Sequence, residues 1–70
     1  MSIQCLGKSS WPELLGANGE EAVKKIDKEN PYVRAFVILK GTIVTMDYRC
    51  DRVRVWINKH GVVVEVPRIG

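Results

Sequence analysis

Gly41-Thr42-Ile43-Val44-Thr45-Met46-Asp47-Tyr48-Arg49-Cys50-Asp51-Arg52-Val53-Arg54 joins an apolar run that ends at Leu39 to an alternating run that begins near Arg52. Connections that flex are rich in Gly, Ser and Pro. This one instead carries the β-branched residues Thr42, Ile43, Val44 and Thr45, which are stiff at the first side-chain torsion and favour extended backbone. Downstream, Asp47, Arg49 and Asp51 make it too polar to be core. Met46 is the one unbranched apolar residue in its middle. The stretch reads as a stiff, extended edge held out for contact, set between two strands.

Working outward, Tyr32 to Leu39 predicts a strand, with Val33, Phe36, Val37, Ile38 and Leu39 forming a nearly continuous apolar run suited to a central position. Arg52 to Asn58 alternates, with Val53, Val55 and Ile57 inward and Arg52, Arg54 and Trp56 on the other face. Asn58-Lys59-His60-Gly61 predicts a turn, Val62 to Val66 a last strand, and Pro67 its end. Toward the start, Asn18 is a helix N-cap, with Glu21 three residues later and acidic Glu20 beside it in the first turn. Ala22, Val23 and Ile26 fall on one side of that helix, and Lys24, Lys25 and Lys28 on the water side. Asn30-Pro31 stops it, because proline disfavours helix in the residue before it, so the helix is expected over Gly19–Glu29. Before it, Trp11-Pro12-Glu13-Leu14-Leu15-Gly16 reads as an apolar arm packed on the core. The fold class is therefore α+β: one helix on a small sheet, with one long exposed loop over about residues 41–51, in a single domain spanning 1–70.

Seventy residues leave no room for a second core or an enclosed catalytic chamber. No apolar run approaches the roughly 20 residues that span a bilayer, and the first residues lack the apolar stretch of a signal peptide. The net charge of +3 is too mild and too local to indicate a nucleic-acid surface. Two cysteines, Cys5 and Cys50, lack metal-ligand spacing, and the single His60 does not complete a zinc site. They are either two free thiols or one bridge from the N-terminal arm to the far end of the loop, and a chain this small favours the bridge. A bridge would point to an extracellular or vacuolar setting.

The chemistry of the loop is that of a peptide offered to a protease. Proteases take extended segments as an added strand and seat successive side chains in pockets. Met46, long, unbranched and apolar, suits a deep apolar pocket. Arg52 and Arg54, two apart on a strand, point to one face. They either lie solvated there or reach back under the loop to Thr45, Asp47 or loop carbonyls.

Four fragments in this order resemble the potato inhibitor I family of serine protease inhibitors. They are Lys8-Ser9-Ser10-Trp11-Pro12-Glu13-Leu14, Gly41 to Arg49 of the loop, Asp51-Arg52-Val53-Arg54-Val55-Trp56, and Val66-Pro67-Arg68-Ile69-Gly70. The resemblance implies one helix against a small mixed β-sheet, and a substrate-like inhibitor whose reactive bond is Met46-Asp47, with Thr42, Ile43, Val44, Thr45, Tyr48 and Arg49 as the protease-contacting loop. It also implies loop-supporting roles for Arg52 and Arg54, with Gly70 packed near their base. Some family members carry a disulfide at the positions of Cys5 and Cys50, and others lack both cysteines.

A large apolar residue at position 46 points to chymotrypsin-like and subtilisin-like enzymes, with elastases a further class. Trypsin's acidic specificity pocket finds no cation here. No catalysis, cofactor, metal, nucleic-acid or membrane partner is expected, and the chain is expected to act as a monomer. Ser9, Ser10, Asp47, Asp51 and His60 supply the letters of a hydrolase without a nucleophile-elbow or metal motif. The alternative function is a basic module that binds nucleic acid or protein through Arg49, Arg52 and Arg54.

Overall fold

The computed structural model describes residues 5–70. A short 3-10 turn, Pro12–Leu14, precedes one α-helix, α1 (Gly19–Glu29), and two strands, β1 (Arg34–Leu39) and β2 (Arg52–Ile57). The helix starts where its cap requires. Asn18 is extended, and its side-chain oxygen accepts hydrogen bonds from the Glu20 and Glu21 amides at 3.0 and 3.2 Å. At its N-terminus the helix approaches the sheet closely. A Cβ on Gly19 would sit 2.6 Å from Ile57 Cγ2, so only glycine fits there.

Asn30 ends the helix and ties the N-terminal arm to it. It is fully buried. Its Nδ2 donates to the carbonyls of Leu6 and Lys8 at 2.9 and 2.8 Å, and its Oδ1 accepts from the Tyr32 amide at 2.9 Å. Gly7 makes this possible: its φ is +77°, and a Cβ there would lie within 2.9 Å of the Asn30 carboxamide. The same bond to Tyr32 holds Pro31-Tyr32 in a turn, which is why β1 begins at Arg34 and not at the expected Tyr32.

β1 and β2 pair in parallel, with Arg34 opposite Arg52, Phe36 opposite Arg54 and Ile38 opposite Trp56. The expectation that the β1 run takes a central position is corrected. Only Ala35 is buried within it, while Phe36, Val37 and Leu39 are 39%, 38% and 53% exposed. The buried strand is β2, whose Val53 and Val55 are fully covered. Each such side chain contributes about 1.5–3 kcal/mol by leaving water. β2 stops at Ile57 because the Asn58 amide turns to the Val62 carbonyl, and the Asn58 side chain accepts from the His60 and Val62 amides.

The expected strand Val62–Val66 is also corrected. The chain returns antiparallel beside β2 but pairs with it at single points, Ile57 with Val63 and Val53 with Ile69. Pro67, between them, has no amide hydrogen to give to a ladder. The sheet is thus mixed, with a parallel pair flanked by antiparallel bridges. Ser10 pairs with Arg68 beyond them.

α1 lies on both strands through Ala22 and Ile26, and Trp11, Leu14, Val33, Val63 and Ile69 complete the core. The arm packs as expected through Trp11 and Leu14, while Leu15 faces water. Trp11 Nε1 donates to Glu29 Oε1 at 3.0 Å, so the buried indole is satisfied. Asn30→Ala is expected to destabilise the protein by about 3 kcal/mol, because two carbonyls and one amide lose their partner. A urea titration showing a loss below about 0.5 kcal/mol, with unchanged slope, would contradict Asn30 as the tie between arm and helix.

Candidate functional site

The segment from Gly41 to Asp51 has neither helix nor ladder, and its shape is set from below. Thr42 opens it, with its hydroxyl and amide both donating to the Leu39 carbonyl, at 2.6 and 3.1 Å. Beyond this turn the side chains divide by direction. Ile43 and Met46 stand almost wholly in water, at 96% and 99% exposure. The residues on either side of Met46 are held. The Thr45 hydroxyl donates to the Asp47 carboxylate beneath the backbone.

Arg52 and Arg54 grip this pair from β2. Arg52 Nη2 donates to the Asp47 carbonyl at 2.8 Å, and its Nη1 lies 3.4 Å from Asp47 Oδ2. Its Nε donates to the Gly70 main-chain oxygen at 2.8 Å. Arg54 Nη2 lies 3.3 Å from both the Thr45 carbonyl and its hydroxyl oxygen, and 3.9 Å from Asp47 Oδ1. One guanidinium therefore holds the residue before Met46 and the other the residue after it. Both side chains are only 16% exposed, so these charge-assisted bonds are stronger than those of an open surface pair. Of the two alternatives for these arginines, reaching under the loop is the one observed.

Arg49 turns to Asp51 in a two-pronged ion pair, Nε to Oδ1 at 3.0 Å and Nη2 to Oδ2 at 2.9 Å. Each partner's pKa moves in the direction that favours its charged form, chiefly through this side-chain hydrogen bond. Cys50 then closes the far side through a disulfide to Cys5, with Cα atoms 5.1 Å apart across a sequence separation of 45 residues. A loop of that length corresponds to about 4 kcal/mol of chain-entropy stabilisation.

Tyr48 is less free than an outward-facing loop residue. Its hydroxyl lies 3.4 Å from Cys5 Sγ, and since a disulfide sulfur has no proton to give, the hydroxyl is the donor. Its ring lies beside Gly70, where a Cβ would stand 3.7 Å from two ring carbons. The sequence reading missed the Thr45–Asp47 and Tyr48–Cys5 contacts. Only the two-residue spacing of Thr45 and Asp47 hinted at the first.

Among the described residues no cluster of three or more His, Cys, Asp or Glu side chains could hold a metal ion. Among the described residues no helix is long and apolar enough to cross a membrane. The model of the Potato inhibitor I family matches residues 4–70. The chain belongs to the potato inhibitor I family.

Two relatives and one solved structure match it over nearly their whole length. An inhibitor of trypsin and Hageman factor from Cucurbita maxima is 54% identical over 66 residues, covering 94% of this chain and 97% of the relative. The Glu S.griseus protease inhibitor of Momordica charantia is 52% identical over 67 residues, covering 96% and 98%. The crystal structure of the bitter gourd trypsin inhibitor superposes with a TM-score of 0.93 at 51% identity, covering 97% of this chain and all of that one. The α+β scaffold carrying a long loop is thus the family's own.

The Asp47 carboxyl has a pKa lowered from 3.8 to about 2, first by the Thr45 hydroxyl, then by its own backbone amide and by Arg52. A depressed carboxylate stabilises the fold fully above the unfolded value and loses that contribution as pH falls through the folded one. The loss is therefore expected between 3.8 and about 2. Denaturant midpoints taken at about pH 5 and about pH 2 should fall further for the parent than for Asp47→Asn. Equal falls would show that the carboxylate is not coupled to the folded loop.

Proposed function

We propose that this chain is a substrate-like inhibitor of serine endopeptidases that offers the Met46-Asp47 bond on a rigid loop. One observation carries the reading: Met46 is 99% exposed while the residues on both sides of it are held from beneath by Arg52 and Arg54. A flexible peptide would lose conformational entropy on docking, whereas this backbone is held before the enzyme arrives. Thr42, Ile43, Val44, Thr45, Tyr48 and Arg49 supply the flanking edge that adds to the enzyme as a strand.

Inhibition follows from what happens after attack. The enzyme's serine oxygen bonds to the Met46 carbonyl carbon, the bond to the Asp47 nitrogen breaks, and a proton passes to that nitrogen through the enzyme's base. In a substrate the new amine diffuses away. Here Arg52 holds the Asp47 carbonyl and Arg54 the Thr45 carbonyl, so the amine stays beside the ester. The reverse step, in which the amine lone pair attacks the carbonyl and the serine oxygen leaves with the returned proton, then outruns water. The Cys5–Cys50 bridge ties the amine-bearing half to the N-terminal arm.

Met46 selects the enzyme. The names of the relatives span different targets, so the scaffold alone does not set the choice. An apolar, unbranched side chain suits chymotrypsin-like and subtilisin-like pockets, and elastases belong in the same test panel. Trypsin is a poor target for this chain. The basic-module alternative loses support because all three of its arginines bond within the chain: Arg49 to Asp51, Arg52 to Asp47 and Gly70, and Arg54 to Thr45.

An inhibition panel, with mass-spectrometric identification of the bond cut on long incubation, tests the reading directly. Met46→Lys should raise affinity for trypsin by about a hundredfold or more and weaken chymotrypsin inhibition. Unchanged selectivity would mean that another bond meets the enzyme. Replacing Arg52 and Arg54 together with Ala should speed cleavage at Met46-Asp47 by roughly tenfold or more, since two charge-assisted contacts are lost. If the double variant resists cleavage as well as the parent, the arginines do not hold the cut ends.

A further inference from the structure

We propose that Tyr48 is a positioning residue through which the Cys5–Cys50 disulfide holds the amine-bearing half of the cut loop in place. The proposal deepens the inhibitor reading and rests on Met46-Asp47 being the reactive bond. Tyr48 is the second residue after that bond, so in a strand-like segment its side chain would be offered to the enzyme with that of Met46. Its contacts run the other way. The hydroxyl donates to Cys5 Sγ at 3.4 Å, and the ring faces Gly70, where a Cβ would stand 3.7 Å from it, while 64% of the residue stays open to solvent.

These two contacts join segments that are remote in sequence. Cys5 belongs to the N-terminal arm. Gly70 is fixed by its amide, which donates to the Arg52 carbonyl at 3.0 Å, and by its own oxygen, which accepts from Arg52 Nε. Arg52 in turn holds the Asp47 carbonyl. Tyr48 therefore shares its base with the strut that holds its neighbour, and the ring and the guanidinium grip consecutive residues from one platform. Arg49, which follows, is bonded to Asp51, and Cys50 is covalently fixed.

Once the peptide bond is cut, the new chain end has only Asp47 and Tyr48 between it and the Arg49–Asp51 anchor. The covalent bridge alone leaves Tyr48 free to swing about the intervening backbone. The hydroxyl contact turns the bridge from a tether at Cys50 into a constraint within two residues of the reacting nitrogen. A nitrogen kept near its attack position re-forms the bond faster, because proximity replaces a search.

The test uses the full chain and a catalytic amount of chymotrypsin. It measures the equilibrium ratio of cut to intact chain and the rate at which purified cut chain is resealed. Tyr48→Phe, which keeps the ring and loses the hydroxyl, should shift the ratio toward cut chain by about two- to fivefold, as one modest hydrogen bond implies. Tyr48→Ala should shift it by about tenfold or more. In a Cys5→Ala/Cys50→Ala background the effect of Tyr48→Phe should vanish, because its acceptor is gone, while Tyr48→Ala should still matter through Gly70.

A residue that only stabilises the fold would lower the denaturation midpoint without slowing resealing. A residue that only touches the enzyme would slow association without moving the ratio. Either result, or a Tyr48→Phe shift of the same size in both backgrounds, overturns the proposal. An unchanged ratio for Tyr48→Phe in the disulfide-bonded chain does so by itself, with no need for the cysteine variant to fold. If the parent is cut at another bond, the inhibitor reading of Met46-Asp47 fails first and takes the role of Tyr48 with it.

Discussion

The Arg52 guanidinium connects the exposed loop to the returning end of the chain. It springs from the first residue of the buried strand, donates downward to the Gly70 main-chain oxygen and upward to the Asp47 carbonyl. A planar fork of fixed donors suits this task, whereas an ammonium on a flexible stem would satisfy one acceptor at a time. The loop above it has no apolar core of its own, because Ile43 and Met46 point into water. Its order therefore depends on polar contacts, and the side chain that supplies the shortest of those from below is itself locked by the returning chain. The Gly70 amide closes the circuit on the Arg52 carbonyl.

That dependence explains how a loop outside the core is held. The core of Trp11, Ile26, Val53, Val55 and Val63 stabilises the scaffold, and it lies away from the exposed edge. The loop is tied to the scaffold by three means: the arginines of β2, the disulfide at Cys50, and the placement of Tyr48 beside Cys5 and Gly70. Together they tie the loop to β2, the N-terminal arm and Gly70, so the loop is held without being buried. A buried loop would be rigid too, but it could not be offered to a partner.

How much of this was legible depended on whether the signal was local. The helix was read to its ends because Asn18, Glu20, Glu21 and Asn30-Pro31 each act within a few residues. The face of Arg52 and Arg54 followed from strand alternation alone, and a presented loop followed from four β-branched residues with no flexible composition. The errors came where pairing partners decide the outcome. An apolar run from Phe36 to Leu39 looked like a central strand, yet β1 has a partner on one side only, and much of that run is exposed. Val62 to Val66 had the composition of a strand and made only single-point pairings. Tyr48 and Asn30 were illegible as ties, because their partners are a disulfide sulfur and two carbonyls far along the chain. The chemistry of those side chains was visible; their neighbours were not. The proposal that Met46-Asp47 is the reactive bond came from family resemblance, since residue chemistry supported a presented loop and not one particular peptide bond.

The parallel pairing of β1 and β2 has a consequence for how such a molecule can diversify. Parallel neighbours cannot be joined by a tight turn, so the chain leaving Leu39 must travel back along the whole sheet, roughly 20 Å for strands of this size, before β2 can begin. The exposed segment is that return path. Its span is dictated by the scaffold, while the identity of its outermost side chains is not, because Met46 touches nothing that the fold requires. The residue at the summit can therefore be exchanged without touching the core, whereas a change in the number of residues would move Thr45 and Asp47 off the arginines that hold them. Variation in letter is cheap here, and variation in length is not.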